Sequence, residues 1–236
     1  LSDGVNPHSA LENRFILAVR ESYTQYLAYG SRSSRKLRPL HQWVADEMQS
    51  ALGEGYAVQS LRKSEQGGEE TVAGKYYDKT VDVSIAKGDG ASMAIISIKF
   101  VTSNFRQNAN NYLENLMGET ANLRRNDIIF GHLMVLPTVL PYFKRSGEIG
   151  REERVSNRHL KKYVELGCDD DYPHRPDAMG IGLVSLPLDD LSDVRRIEPA
   201  NLAEMEISQS VRAALEKEFS VPYFMRNMKK RIEEKA

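Results

Sequence analysis

Two stretches of the chain are apolar almost without a break, SMAIISIKFV (92–101) and DIIFGHLMVLP (127–137). A strand with one wet face alternates apolar and polar residues; a strand covered on both faces does not. Each stretch therefore reads as a strand buried on both sides. Between them, residues 108–125 return to helical period, with Tyr112, Leu113, Leu116, Met117, Thr120 and Leu123 on one face. Ahead of them, YYDKTVDVSIA (76–86) alternates through Val81, Val83 and Ile85, and KGDG (87–90) reads as a hairpin turn. Tyr56 to Leu61 is a weaker strand, and SEQGGEE (64–70) a turn or loop.

Helical signals occupy both ends. Ser9 and Glu12 have capping-box spacing at the start of a helix over 9–29. Pro39 suits the first turn of a second helix that Gly53 and Gly55 end. Residues 156–166 read as a short helix, 178–188 as a strand, and 208–234 as helix interrupted near Pro222. The order predicts an α/β fold with a mixed central sheet and flanking helices, and not a strictly alternating parallel one. With 236 residues the expectation is a single domain spanning 1–236.

Several function classes drop out. Lysine and arginine total 32 against 33 acids, so nucleic acid would have to be met by local basic patches. The single cysteine, Cys168, excludes an internal disulfide. The five histidines show no pair at helical ligand spacing, which argues against a Cys/His zinc site. No apolar run reaches about 18 residues, so no membrane partner is expected. The N-terminal LSDGVNPHS lacks a basic-then-apolar leader pattern, and a cytoplasmic location is expected. GGEETVAGKY (67–76) fails as a phosphate loop, with Glu69 at a required glycine and Tyr76 after Lys75. Gly90 to Ala94 lacks the second glycine of a nucleophile elbow.

One pair of residues remains. Asp82 lies inside an apolar strand between Val81 and Val83, and Lys99 closes the apolar run ISIKF. Charges held this close to burial are costly unless paired or used. One reading is a structural salt bridge at the sheet margin. The other is metal-assisted phosphodiester hydrolysis. In it Asp82 and the backbone carbonyl of Ile98 hold Mg²⁺, which prefers such hard oxygen donors, and Lys99 orients the attacking water or stabilises the transition state.

An aspartate, a hairpin turn, a strand ending x-x-Lys, then a helix and a strand resemble the PD-(D/E)xK nuclease superfamily. The resemblance covers about residues 39–137 and implies a restriction-endonuclease-like αβββαβ core, with N-terminal helical and C-terminal additions for DNA contact or oligomerisation. No proline precedes Asp82, and Ser97 stands where the superfamily usually carries an acid. One branch of type II restriction endonucleases has Ser-x-Lys here and takes the missing acid from the following helix. Ser97-Ile98-Lys99, Arg106, Gln107-Asn108 and Glu114 are similar to that branch in order. The resemblance implies Glu114 as catalytic acid and metal ligand. The helical wheel favours its competitor Glu119, which flanks the apolar stripe while Glu114 lies nearly opposite. Glu47, on the helix before the strands, is a further acid in a position that family members use.

TSNFRQNANN (102–111) is dense in amides, and Asn104, Arg106, Gln107 and Asn108 are expected to contact bases or phosphates, with a polar helix start as the alternative. Arg32, Arg35, Lys36 and Arg38 put four cations within seven residues, suited to phosphate contact or to plain solvation. The leading expectation is a Mg²⁺-dependent type II restriction endonuclease cutting double-stranded DNA as a homodimer or higher homo-oligomer. A repair or recombination nuclease, and a non-catalytic DNA-binding protein on the same fold, are the alternatives.

Overall fold

The computed structural model describes residues 7–31, 33–64, 68–88, 90–144, 148–187 and 191–236. The two apolar runs become β5 (Ser92–Phe100) and β6 (Ile129–Pro137), preceded in chain order by β1 (Tyr56–Ser60), β2 (Glu70–Val72), β3 (Lys79–Val81) and β4 (Val83–Lys87). They are followed by β7 (Val139–Phe143), β8 (Ile149–Arg154), β9 (Ala178–Ser185) and β10 (Arg195–Arg196). The helices are α1 (Pro7–Tyr29), α2 (Arg38–Leu52), α3 (Phe105–Arg124), α4 (Asn157–Gly167), α5 (Gln209–Lys217) and α6 (Val221–Lys235).

The central sheet runs β1-β4-β5-β6-β9-β10. Strand β5 is antiparallel to β4 and parallel to β6, and β6 is parallel to β9, so the sheet is mixed. A parallel neighbour needs a crossover, which α3 supplies between β5 and β6. Side chains alternate across β5. Ile96, Ile98 and Phe100 enter a core shared with α1, α2 and α6, while Ile95 enters the core under α3, α4 and α5. Helix α6 packs hard on the sheet. A Cβ at Gly131 would lie within 2.4 Å of the Met228 sulfur, and one at Gly180 within 2.8 Å of Phe224 Cβ. The apolar runs are thus covered on both faces, as their composition requires.

Three departures from the sequence reading matter. The stretch 76–86 is not one strand: β3 pairs with β2 in a separate hairpin, β4 pairs with β1 and β5, and the chain changes sheets at Asp82. A second hairpin, β7–β8, was not legible, because β8 is almost wholly exposed and carries no alternation. The strand expected over 178–188 ends at Ser185. Of the expected turns, residues 65–67 and Asp89 lie outside the described residues. Among the described residues, no helix is long and apolar enough to cross a membrane.

Candidate active site

Asp82 occupies the single residue between β3 and β4. Its Oδ2 accepts a 2.6 Å hydrogen bond from the Ile98 amide, which ties the sheet-switching point to β5. The side chain keeps 26% of its surface accessible, through a cleft above the sheet. Burial raises its pKa to about 6; the Ile98 N–H opposes this, Glu119 adds to it, and Lys79 and Lys99 pull the other way. A carboxyl whose folded pKa lies above its unfolded value of 3.8 favours the folded state below that pH and loses the advantage as pH rises through 6. In EDTA, Asp82→Asn is therefore expected to gain stability over wild type at pH 8, by up to about 3 kcal/mol, with the gap closing towards pH 4. Chemical denaturation across pH measures this; a gap independent of pH would contradict it.

Lys99 stands on the α3 side of β5, as does Ser97, and both line the same cleft as Asp82. Register places His132 beside Ser97 and Met134 beside Lys99 on β6. The Lys99 ammonium lies 4.2 Å from the centre of the Tyr112 ring. Burial lowers its pKa, against the pull of Asp82 and Glu119. Asp82 and Lys99 form no direct ion pair but feel each other's charge, so the salt-bridge reading gives way to two charges sharing one cavity.

Helix α3 closes the cleft with Tyr112, Leu116, Glu119 and Leu123, which recur at helical spacing on one face. Glu119 is on this wall and receives a 2.6 Å hydrogen bond from Lys79. Glu114 is not: it is exposed, on a face of α3 turned away from the cleft, and its charge is felt by Lys162 instead. The physical reason is the wheel. Glu114 lies two residues, about 200°, from Tyr112, whereas Glu119 is seven residues from it and nearly in line. Glu47 is also elsewhere, held by Arg14 at 2.5 Å. The contact that Ile98 makes with Asp82 is through its N–H. The cleft has a volume of about 460 Å³.

Sequence reasoning passed over two buried histidines and one cleft lysine, Lys79. His41 of α2 has no accessible surface, places Nε2 3.8 Å from Asp82 Oδ1, and among the described residues has no hydrogen-bond partner on either ring nitrogen. Burial lowers its pKa to about 4, against a raising contribution from Glu69. A neutral, unpartnered imidazole is the form that binds a metal. One ligand atom each of His41, Glu69 and Asp82 lies within 4.8 Å of the others, so a small inward movement would let all three reach one cation. His41 was masked in the sequence by its place on the apolar stripe of α2, beside Leu40, Val44 and Ala45. His132 is also buried, with both ring nitrogens unpartnered among the described residues, and burial followed by the Lys99 charge pushes its pKa down to about 3. Lys79 was passed over with Asp82's strand. Lys36 was expected to touch phosphate but not to line this cleft. Burial and then the Lys99 charge lower its pKa.

The remaining expected DNA contacts scatter. Arg32 lies outside the described residues. Arg35 lies over the Tyr29 ring at 4.5 Å, and with Arg38 it lines a separate hollow that includes Glu21 and Lys63. Asn104 adopts a left-handed φ of 52° at the start of α3 and makes no side-chain cap. The Asn108 amide donates to the Asn104 carbonyl, a local bond that competes with base reading. Arg106 and Gln107 are exposed. No family model, no curated protein and no solved structure matches this chain.

Proposed function

We propose that the cleft is the active centre of a divalent-cation-dependent DNA endonuclease that hydrolyses phosphodiesters. The observation that carries this reading is the convergence of Asp82, Glu119, Ser97 and Lys99 on one half-closed cavity above the sheet. Two carboxylates give a cation charged oxygen ligands, and the lysines Lys36, Lys79 and Lys99 counter the charge of an entering phosphate. The donor set fits a hard divalent ion: Asp82 would hold it, and Glu119, Glu69 and His41 are the groups that would complete its ligands. When bound, the cation would neutralise phosphate charge and supply a water of lowered pKa.

The protein's own groups would do the rest. The Ile98 N–H fixes one oxygen of Asp82 and leaves the other free. Glu119 holds Lys79 through Oε1, which leaves Oε2 to serve as a ligand and keeps that ammonium in the cleft to meet phosphate. Lys99, steadied on the Tyr112 face, would orient the attacking water and stabilise negative charge as it develops. An imidazole ligand suits Mn²⁺ better than Mg²⁺, so Mn²⁺ should support at least equal activity. On this reading the enzyme is of restriction type and cuts a two-fold DNA site as a homodimer or higher homo-oligomer.

The test is incubation of mixed-sequence duplex DNA with Mg²⁺, with Mn²⁺ and with EDTA. Discrete bands with either cation and intact DNA in EDTA are expected. A smear would replace the restriction reading with a nuclease of low sequence preference. Intact DNA under all three conditions would remove the proposal.

A further inference from the structure

A second hollow, of about 450 Å³, lies between the first turn of α3, the end of β8 and the first turns of α4. Arg106, Arg154, Arg158 and Lys162 line it, together with Asn110 and His159. The three arginines are exposed, and among the described residues none of them is in an ion pair. Like charges gathered in one concavity repel each other, and an anion seated among them relieves that repulsion. The crowding is felt by its neighbours. After burial, the charges of Lys162, Arg106 and Arg158 lower the pKa of His159, and that of Arg158 lowers Lys162.

Two acids stand near, and neither neutralises the hollow. Glu153 is buried, its carboxylate accepting from the Arg106 amide and from Arg151. Glu114 is exposed and acts on Lys162. The floor is fixed. Lys162 donates to the Ala109 carbonyl at 2.6 Å and to Asn110 Oδ1 at 3.2 Å, pinning α4 to α3. The His159 ring packs edge-on against Phe105 at 5.1 Å and bonds to Ser156, so it is a wall of the hollow.

The hollow is joined to the cleft by packed rings. Lys99 lies over Tyr112, Tyr112 stacks on Phe105 at 6.2 Å between centroids, and Phe105 meets His159. Three successive contacts span at most about five base-pair steps of duplex, at about 3.4 Å of rise each. We infer that Arg106, Arg154 and Arg158 form a phosphate-backbone site that holds the same DNA a few nucleotides from the bond being cut. This rests on the reading of the cleft as a nuclease centre. It also gives Arg106 a role distinct from base reading, since forked guanidiniums match phosphate oxygens without regard to sequence.

The test is binding of a 30-base-pair duplex at several salt concentrations, in EDTA so that no strand is cut. Wild type is compared with Arg106→Gln/Arg154→Gln/Arg158→Gln, and with Lys229→Gln/Lys230→Gln/Arg231→Gln on α6 as a variant with equal loss of charge. Lys162 is left intact because it ties two helices together. The arginine variant should bind about a hundredfold more weakly near 0.1 M salt, with a slope of log K against log salt shallower by about 2 to 3. The α6 variant should keep the wild-type slope, and all three proteins should melt alike. If the arginine variant keeps the wild-type slope, or the α6 variant loses as much, the hollow is not a phosphate site, while the cleft proposal stands. If wild type itself binds no duplex at any salt, both proposals fall together.

Discussion

Asp82→Asn and Lys99→Met should each lower DNA cleavage about a thousandfold while leaving the fold intact. For Asp82 the loss follows from charge. Asparagine can still accept the Ile98 N–H bond that fixes the chain at the β3–β4 switch, so the local structure has a replacement partner. It cannot supply the negative charge that holds a divalent cation beside a phosphate. For Lys99, methionine is apolar and similar in length and removes the ammonium that lies over Tyr112. Removing one preorganised donor from a developing oxyanion typically costs about 10²–10³ in rate. The two variants differ in a second readout. Asp82→Asn should also weaken Mn²⁺ binding, measured by calorimetry, whereas Lys99→Met should not, because a cation is repelled by an ammonium and not held by it. Wild-type rates in either variant would remove that residue from the chemistry.

The second large effect separates the two glutamates of α3. Glu119→Gln should reduce cleavage by about a hundredfold or more, and Glu114→Gln should change it by less than about twofold. The reason is position alone. Glu119 shares the cavity with Asp82, and its charge already raises the Asp82 pKa. Glu114 sits on the outer face of the helix near Lys162. Loss of the Glu119–Lys79 ion pair should cost little stability, since both side chains keep part of their surface in water. Mn²⁺, which binds such sites more tightly than Mg²⁺, should partly restore the Glu119→Gln variant. If Glu114→Gln is the inactive one, α3 must turn or shift when DNA binds. If both variants cut at wild-type rates, the second carboxylate is Glu69, with His41 completing the set.

The sequence carried the sheet more clearly than the site. Strands β5 and β6 were legible because double burial leaves an unbroken apolar run, and α3 because its buried face repeats at helical spacing. Asp82 and Lys99 were legible for the opposite reason, as charges where composition called for none. The break at Asp82 was not legible. Val81 and Val83 are both buried strand residues, and nothing in their pattern says that they pair with different partners. Hairpin β7–β8 was missed because its outer strand IGREER carries no apolar side chain after Ile149. Of the helix acids, the wheel pointed to Glu119 while the order of residues resembling a restriction-enzyme branch pointed to Glu114. The structure brings only Glu119 to the cleft. His41 could not be read at all, since a buried histidine on an apolar stripe looks like packing until the fold brings Asp82 and Glu69 to it.

The most direct measurement follows wild type and Asp82→Asn side by side on mixed-sequence duplex DNA with Mg²⁺, with EDTA as the blank. Expected is cutting by wild type only, abolished by EDTA and absent from the variant, with both proteins melting cooperatively. Equal cutting by the variant, or cutting that persists in EDTA, would contradict the assignment of the cleft as a cation-dependent phosphodiesterase centre.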